Sequence, residues 1–126
     1  MRVSETPYFC GAIMKFTIQD KELESFIEDR KNGGNRFKKY AKDKLFYEKL
    51  LNVFRVFRAI DSVEDLRPPF TLFAYLHYER LRYQGEPMSS VRVMNGRVER
   101  VLFREVNDGI EIVVIKLDDT HYGNKK

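Results

Sequence analysis

The sequence predicts an α+β fold: a short N-terminal strand and a helical hairpin packed on a C-terminal antiparallel sheet, in the order β-α-α-β-β-β. Three observations lead there. Between positions 23 and 60 apolar residues recur at the spacing of one helix face. Ser89 to Glu105 reads as two β-type runs on either side of Asn95-Gly96, the dipeptide best suited to a tight hairpin turn. Ile110 to Leu117 (IEIVVIKL) is nearly continuously apolar, as a strand covered on both faces is. With 43% hydrophobic residues, ten Phe and seven Tyr in 126 positions, the chain can fill one core.

Met1 to Gly11 has no usable periodicity, so residues 1–13 read as a flexible extension ahead of a single domain, 14–126. Ile13 to Ile18 (IMKFTI) predicts the first strand. Asp20 suits a helix N-cap, with acids in the first turn and Leu23, Phe26 and Ile27 as the apolar stripe. Asn32-Gly33-Gly34-Asn35 ends that helix. The second helix runs from about Arg36 to Ile60, with Phe46, Leu50, Val53, Phe54, Phe57 and Ile60 on one face. This aromatic stripe reads as core rather than as a binding platform. Ser62 to Leu66 is a capped single turn, stopped by Pro68-Pro69. Leu76 to Gln84 is basic and aromatic by turns, and Gly85-Glu86-Pro87 is a loop. The hairpin follows, then a turn at Asn107-Asp108-Gly109, then the last strand.

With Asn95 and Gly96 as a two-residue type I′ turn, Val91 faces Arg100, Val93 faces Val98, and Arg92 faces Glu99. Arg100 then stands in a row with Val91, Val93, Val98 and Leu102. An unpaired arginine in an apolar row is expensive to bury. Either it meets a carboxylate, or that part of the face is open and binds anions.

The single Cys10 excludes an internal disulfide and a multi-cysteine metal site. No apolar run approaches the ~20 residues of a membrane helix, and the N-terminus does not read as a signal peptide. The expectation is a cytoplasmic protein without a membrane partner. The net charge is +4, unevenly spread: residues 30–58 hold ten Lys and Arg against two acids. Such a segment is either the footprint of a polyanion partner or a solvated helix face.

Phosphate-cradling glycine loops, zinc pairs and nucleophile elbows are absent. What remains is a set of residues near strand ends: Arg80, Arg82, Arg92, Arg100, His121 and Tyr122. That set suits phosphodiester chemistry on RNA. The 2′-hydroxyl attacks the neighbouring phosphorus without a metal. Arginine offers forked donors to the developing charge. Histidine moves protons near neutrality, and tyrosine carries a proton or stacks on an unpaired base.

These stretches resemble the RelE/HigB family of toxins from type II toxin–antitoxin modules. The resemblance covers Met14 to Lys126 and is densest from Leu76 to Phe103. It is carried by Leu76-His77-Tyr78-Glu79-Arg80-Leu81-Arg82, Ser90-Val91-Arg92-Val93 and Arg100-Val101-Leu102-Phe103, with His121-Tyr122 after the last strand. It implies an mRNA endonuclease (an mRNA interferase) acting in the ribosomal A site and silenced by a cognate antitoxin, with no metal or other cofactor. In that frame Arg92 lies beside the scissile phosphate and Arg100 steadies the transition state. His121 and Tyr122 transfer protons or stack, and Arg80 and Arg82 hold the RNA backbone. The basic segment with Lys38, Lys39 and Lys42 becomes a ribosomal RNA contact. The chain departs from the family pattern at Arg82-Tyr83-Gln84-Gly85, at Glu86-Pro87-Met88, and at Val98-Glu99, where an aromatic is usual. A Glu99–Arg92 ion pair would occupy that arginine. Two alternatives stay open: a non-catalytic, ParE-like toxin that inhibits gyrase, and a degenerate toxin that only binds its antitoxin.

Overall fold

The computed structural model describes residues 15–67 and 72–119. The fold is α+β, with three helices and a five-stranded mixed sheet. The strands are β1 (Lys15–Ile18), β2 (Glu79–Tyr83), β3 (Glu86–Arg92), β4 (Arg100–Val106) and β5 (Glu111–Asp118), in the spatial order β1-β5-β4-β3-β2. Residues 1–14, which include the proposed extension and Cys10, lie outside the described residues, as do Pro68-Pro69 and 120–126.

The expected sheet was purely antiparallel and lacked one strand. β1 instead runs parallel to β5, and the charged stretch before the hairpin forms the edge strand β2, antiparallel to β3. An edge strand can carry charge on both faces, which hides it from a search for apolar alternation. β5 lies inside the sheet, between β1 and β4, in line with its apolar sequence.

Helix α1 (Lys21–Glu28) starts as expected: the Asp20 carboxylate accepts hydrogen bonds from the backbone N–H groups of Glu22 and Leu23. It ends at Glu28, ahead of the glycines. Gly33 lies farther on, in the turn after the helix, where a Cβ would come within 3.0 Å of Phe26 and Phe37. Those two rings stack at 4.8 Å.

The long second helix is interrupted. Short α2 (Lys38–Ala41) is followed by α3 (Lys44–Ala59). The break comes from Asp43, whose carboxylate caps α3 by accepting from the Phe46 N–H at 3.1 Å. The apolar stripe is core as expected: Phe46, Leu50, Val53, Phe54, Phe57 and Ile60 are all buried. Phe57 meets Phe103 of the sheet edge-to-face at 5.3 Å. Ser62 caps its own turn, and the Val63 N–H donates to the Gly109 carbonyl at 2.8 Å, tying that turn to the β4–β5 connection.

The helices pack on one face of the sheet, against Val91, Val93, Val101, Phe103, Ile112, Val114 and Leu117. The other face carries no helix among the described residues.

Candidate functional site

The hairpin register decides which side chains meet. The type I′ geometry sits one hairpin earlier than expected. Gln84 (φ 54°) and Gly85 (φ 82°) both adopt positive φ and join β2 to β3, with Tyr83 opposite Glu86. At Asn95-Gly96 only Gly96 has positive φ, 85°, so the β3–β4 connection is not type I′. Its register is shifted by one residue from the expected one: Arg92 lies opposite Arg100, and Val91 opposite Val101. A one-residue slip exchanges the two faces. Val91, Val93, Val101 and Phe103 therefore face the helices, while Arg92, Arg100, Ser90 and Leu102 share the other face, where Ser90 and Leu102 are nonetheless fully buried.

Glu99 does not pair with Arg92. It is buried and receives two hydrogen bonds from Arg97, at 3.1 and 3.0 Å, and one from the Tyr40 hydroxyl at 3.1 Å. Arg97 also reaches Asp43 at 2.8 Å and lies over the Phe46 ring. Hydrogen bonds from Arg97 hold the Asp43 carboxyl below its usual pKa. Burial, reinforced by Glu99, raises that of Tyr40. This closed network pins the start of β4 to the α2–α3 junction.

On this second face, Arg100 is only 13% exposed and doubly engaged. Its Nη2 lies 2.8 Å from Glu79 Oε1 of β2, and its Nη1 donates to Ser90 Oγ at 2.9 Å. Arg92 stands beside it without any hydrogen bond or ion pair among the described residues, and its Nε is buried and unpartnered. Two arginines directly opposite repel one another, and an unpaired buried donor costs about 1–3 kcal/mol. Arg100 also lies opposite the buried Asp118 of β5, so of the two arginines only Arg92 is left with an unsatisfied buried donor. Farther along, Lys116 of β5 donates to the Tyr83 hydroxyl of β2 at 3.1 Å. β3 and β4 lie between those strands, so this contact crosses over them.

Arg80 and Arg82 do not join this cluster. They alternate with Glu79, Leu81 and Tyr83, so they belong to the opposite face, in register with Ser89 and Pro87. Arg80 pairs with Glu105 at 3.0 Å, and Arg82 donates to the Gly85 carbonyl of its own turn at 2.9 Å. Glu105 also accepts from Ser89 and from the Tyr78 hydroxyl. Lys38 and Lys42 are exposed on and beside α2, while Lys39 lies 3.4 Å from Asp119. His121 and Tyr122 lie outside the described residues.

Comparison of the chain with protein-family models, curated proteins and solved structures returned no match.

Glu79 was not singled out from the sequence. It is 45% exposed, beside the arginine pair, and can accept a proton. The signal was its place two residues before Leu81 and four before Tyr83, legible only once that stretch is read as a strand. Among the described residues no group of three or more His, Cys, Asp or Glu is arranged to hold a metal ion. No helix among them is long and apolar enough to cross a membrane.

Proposed function

We propose that this chain is a RelE/HigB-like toxin that cleaves mRNA on the ribosome by metal-independent attack of a ribose 2′-oxygen on the adjacent phosphate. The observation that carries this reading is the Arg92–Arg100 pair, directly opposite one another on the sheet face that carries no helix, with Arg92 making no side-chain hydrogen bond or ion pair among the described residues. A phosphodiester presents two non-bridging oxygens, and two forked guanidinium groups suit them. Charge on those oxygens grows as the pentacoordinate transition state forms, so donors already fixed there favour it over the ground state. Ser90 and Glu79 fix Arg100, and the Arg92 guanidinium is the donor left to meet phosphate.

The reaction needs two proton transfers. The 2′-hydroxyl loses its proton as the O2′–P bond forms, and the P–O5′ bond breaks as O5′ gains one, leaving a 2′,3′-cyclic phosphate. Glu79, beside Arg100, is the candidate to accept the first proton. His121 and Tyr122, which follow the strand opposite Arg100, are the candidates to supply the second. The cognate antitoxin, on this reading, silences the toxin by covering this face.

The test is induced expression in bacteria, following growth together with primer extension on a translated reporter mRNA. Cuts within translated codons that vanish in Arg100→Ala support the nuclease. Growth arrest without cuts, together with inhibited supercoiling by purified protein, points to the gyrase alternative. A folded protein that neither cuts nor arrests growth is the degenerate toxin.

A further inference from the structure

The sheet is not continuous from edge to edge. β3 and β4 pair only from Ser89 to Arg92, opposite Arg100 to Phe103, although β3 begins at Glu86 and β4 runs on to Val106. Beyond that point each strand stays paired on its other side alone, β3 with β2 and β4 with β5. A cleft therefore opens between residues 86–88 and 104–106. Its cause is Pro87. In a two-residue hairpin the pair flanking the turn exchanges hydrogen bonds, so the next residue turns its backbone nitrogen toward the neighbouring strand. Proline has no hydrogen to give there.

The cleft is open to solvent and has a volume of about 450 Å³, within the ~300–1,000 Å³ of small-ligand sites. Leu81, Pro87 and Met88 supply apolar wall. Glu86 and Arg104 line it as well, and neither has a hydrogen bond or ion pair among the described residues. It lies four residues along the strands from the Arg92–Arg100 pair, roughly 13 Å at ~3.3 Å per residue.

We propose that this cleft is a base-specificity subsite that takes one nucleobase of the RNA bound at the arginine pair, and that it selects guanine. The inference rests on the RNA reading above. A flat base can lie on the apolar wall that Leu81, Pro87 and Met88 of β2 and β3 form, facing Arg104 and Glu105 of β4, and unpaired bases are recognised on their Watson–Crick edges. Guanine presents two adjacent donors there, N1–H and the N2 amino group, and the two oxygens of Glu86 match them. Adenine, cytosine and uracil each present a single donor and an acceptor that the carboxylate repels. Arg104 attracts the phosphate of the same nucleotide whatever its base.

Amide shifts of the ¹⁵N-labelled full-length chain, titrated separately with 5′-GMP, 5′-AMP, 5′-CMP and 5′-UMP, test this. GMP is expected to shift Glu86, Met88, Arg104 and Glu105 and to bind about tenfold more tightly than AMP. Glu86→Gln is expected to erase that preference, because an amide replaces one acceptor with a donor. Arg104→Ala weakens all four nucleotides alike. Equal binding of the four nucleotides, or a GMP preference untouched by Glu86→Gln, overturns the subsite. Cleavage of mRNA with no GMP shifts in the cleft removes the subsite and leaves the nuclease. GMP selectivity in a protein that cuts no mRNA does the reverse.

Discussion

The β3–β4 hairpin carries arginines in two opposite conditions. Arg97, on the helix side, is hydrogen-bonded to Glu99 and Asp43 and lies on the Phe46 ring. Every polar group in that network has a protein partner. Arg92, on the open side, has none among the described residues, and it faces a second arginine. The same residue type thus does two jobs a few positions apart. Charge whose partners are all supplied by the chain holds the fold together. A buried donor that the chain leaves unsatisfied costs the folded state free energy instead.

Substitution separates the two conditions. Arg100→Ala is expected to reduce mRNA cleavage by about 10²–10³-fold, the usual cost of a lost transition-state donor. Its thermal stability should fall by about 1 kcal/mol, because Glu79 is half-exposed and keeps water when the largely buried Arg100 is removed. Arg97→Ala should do the converse. It leaves the buried Glu99 carboxylate with only the Tyr40 hydroxyl, so the protein should lose about 2 kcal/mol in a urea melt. Cleavage per folded molecule should persist. If both variants lose activity and stability together, the two networks are one unit and the distinction fails.

How much of this could be read from sequence follows the range of each interaction. The caps at Asp20 and Ser62 and the α3 stripe are local, and they were legible. The break at Asp43 is local too, but a run of helix-forming lysines on both sides conceals a cap that only the folded backbone reveals. Arg92 and Arg100 were recognisable as residue types, yet their adjacency depends on a register shift of one residue. That shift came from treating Asn95-Gly96 as the type I′ turn, when Gln84-Gly85 is the one with both φ angles positive. The parallel pairing of β1 with β5 joins chain ends about a hundred residues apart, and no local pattern encodes it. Glu79, the carboxylate beside Arg100, was missed because β2 itself was missed.

Glu105 lies between the two extremes and gives the comparison a pH test. Burial pushes its carboxyl pKa up, but hydrogen bonds from Ser89, Tyr78 and Arg80 more than offset this, leaving it below the ordinary 4.5. A carboxyl depressed in the folded state stabilises fully above its unfolded pKa, and that contribution is lost as pH falls through the folded value. Urea midpoints should therefore drop as pH falls from about 5 toward 3. Glu105→Gln should be less stable by about 1 kcal/mol at pH 7 and show a flatter acid limb. An unchanged acid limb would mean that other carboxylates control acid unfolding.

The smallest effects belong to the lysines. Lys38 and Lys42 are exposed without ion pairs among the described residues, whereas Lys39 is held near Asp119 and over the Tyr40 ring. Their distribution makes Lys38 and Lys42 resemble Arg92, and Lys39 resemble Arg97. For a polyanion contact, each free cation that touches phosphate lowers the log–log salt slope by about 1 when removed. Ribosome pelleting across a KCl series should then show that reduction for Lys38→Ala and for Lys42→Ala, and a smaller one for Lys39→Ala, whose charge is already partly balanced. None of the three should move thermal stability by more than ~0.5 kcal/mol, since exposed helix lysines do little for the fold. Three identical, unchanged slopes would make this segment a solvated face. On the RNA reading, the arginine pair would then be the basic surface to test next, because Glu79 and Ser90 already hold Arg100 in place.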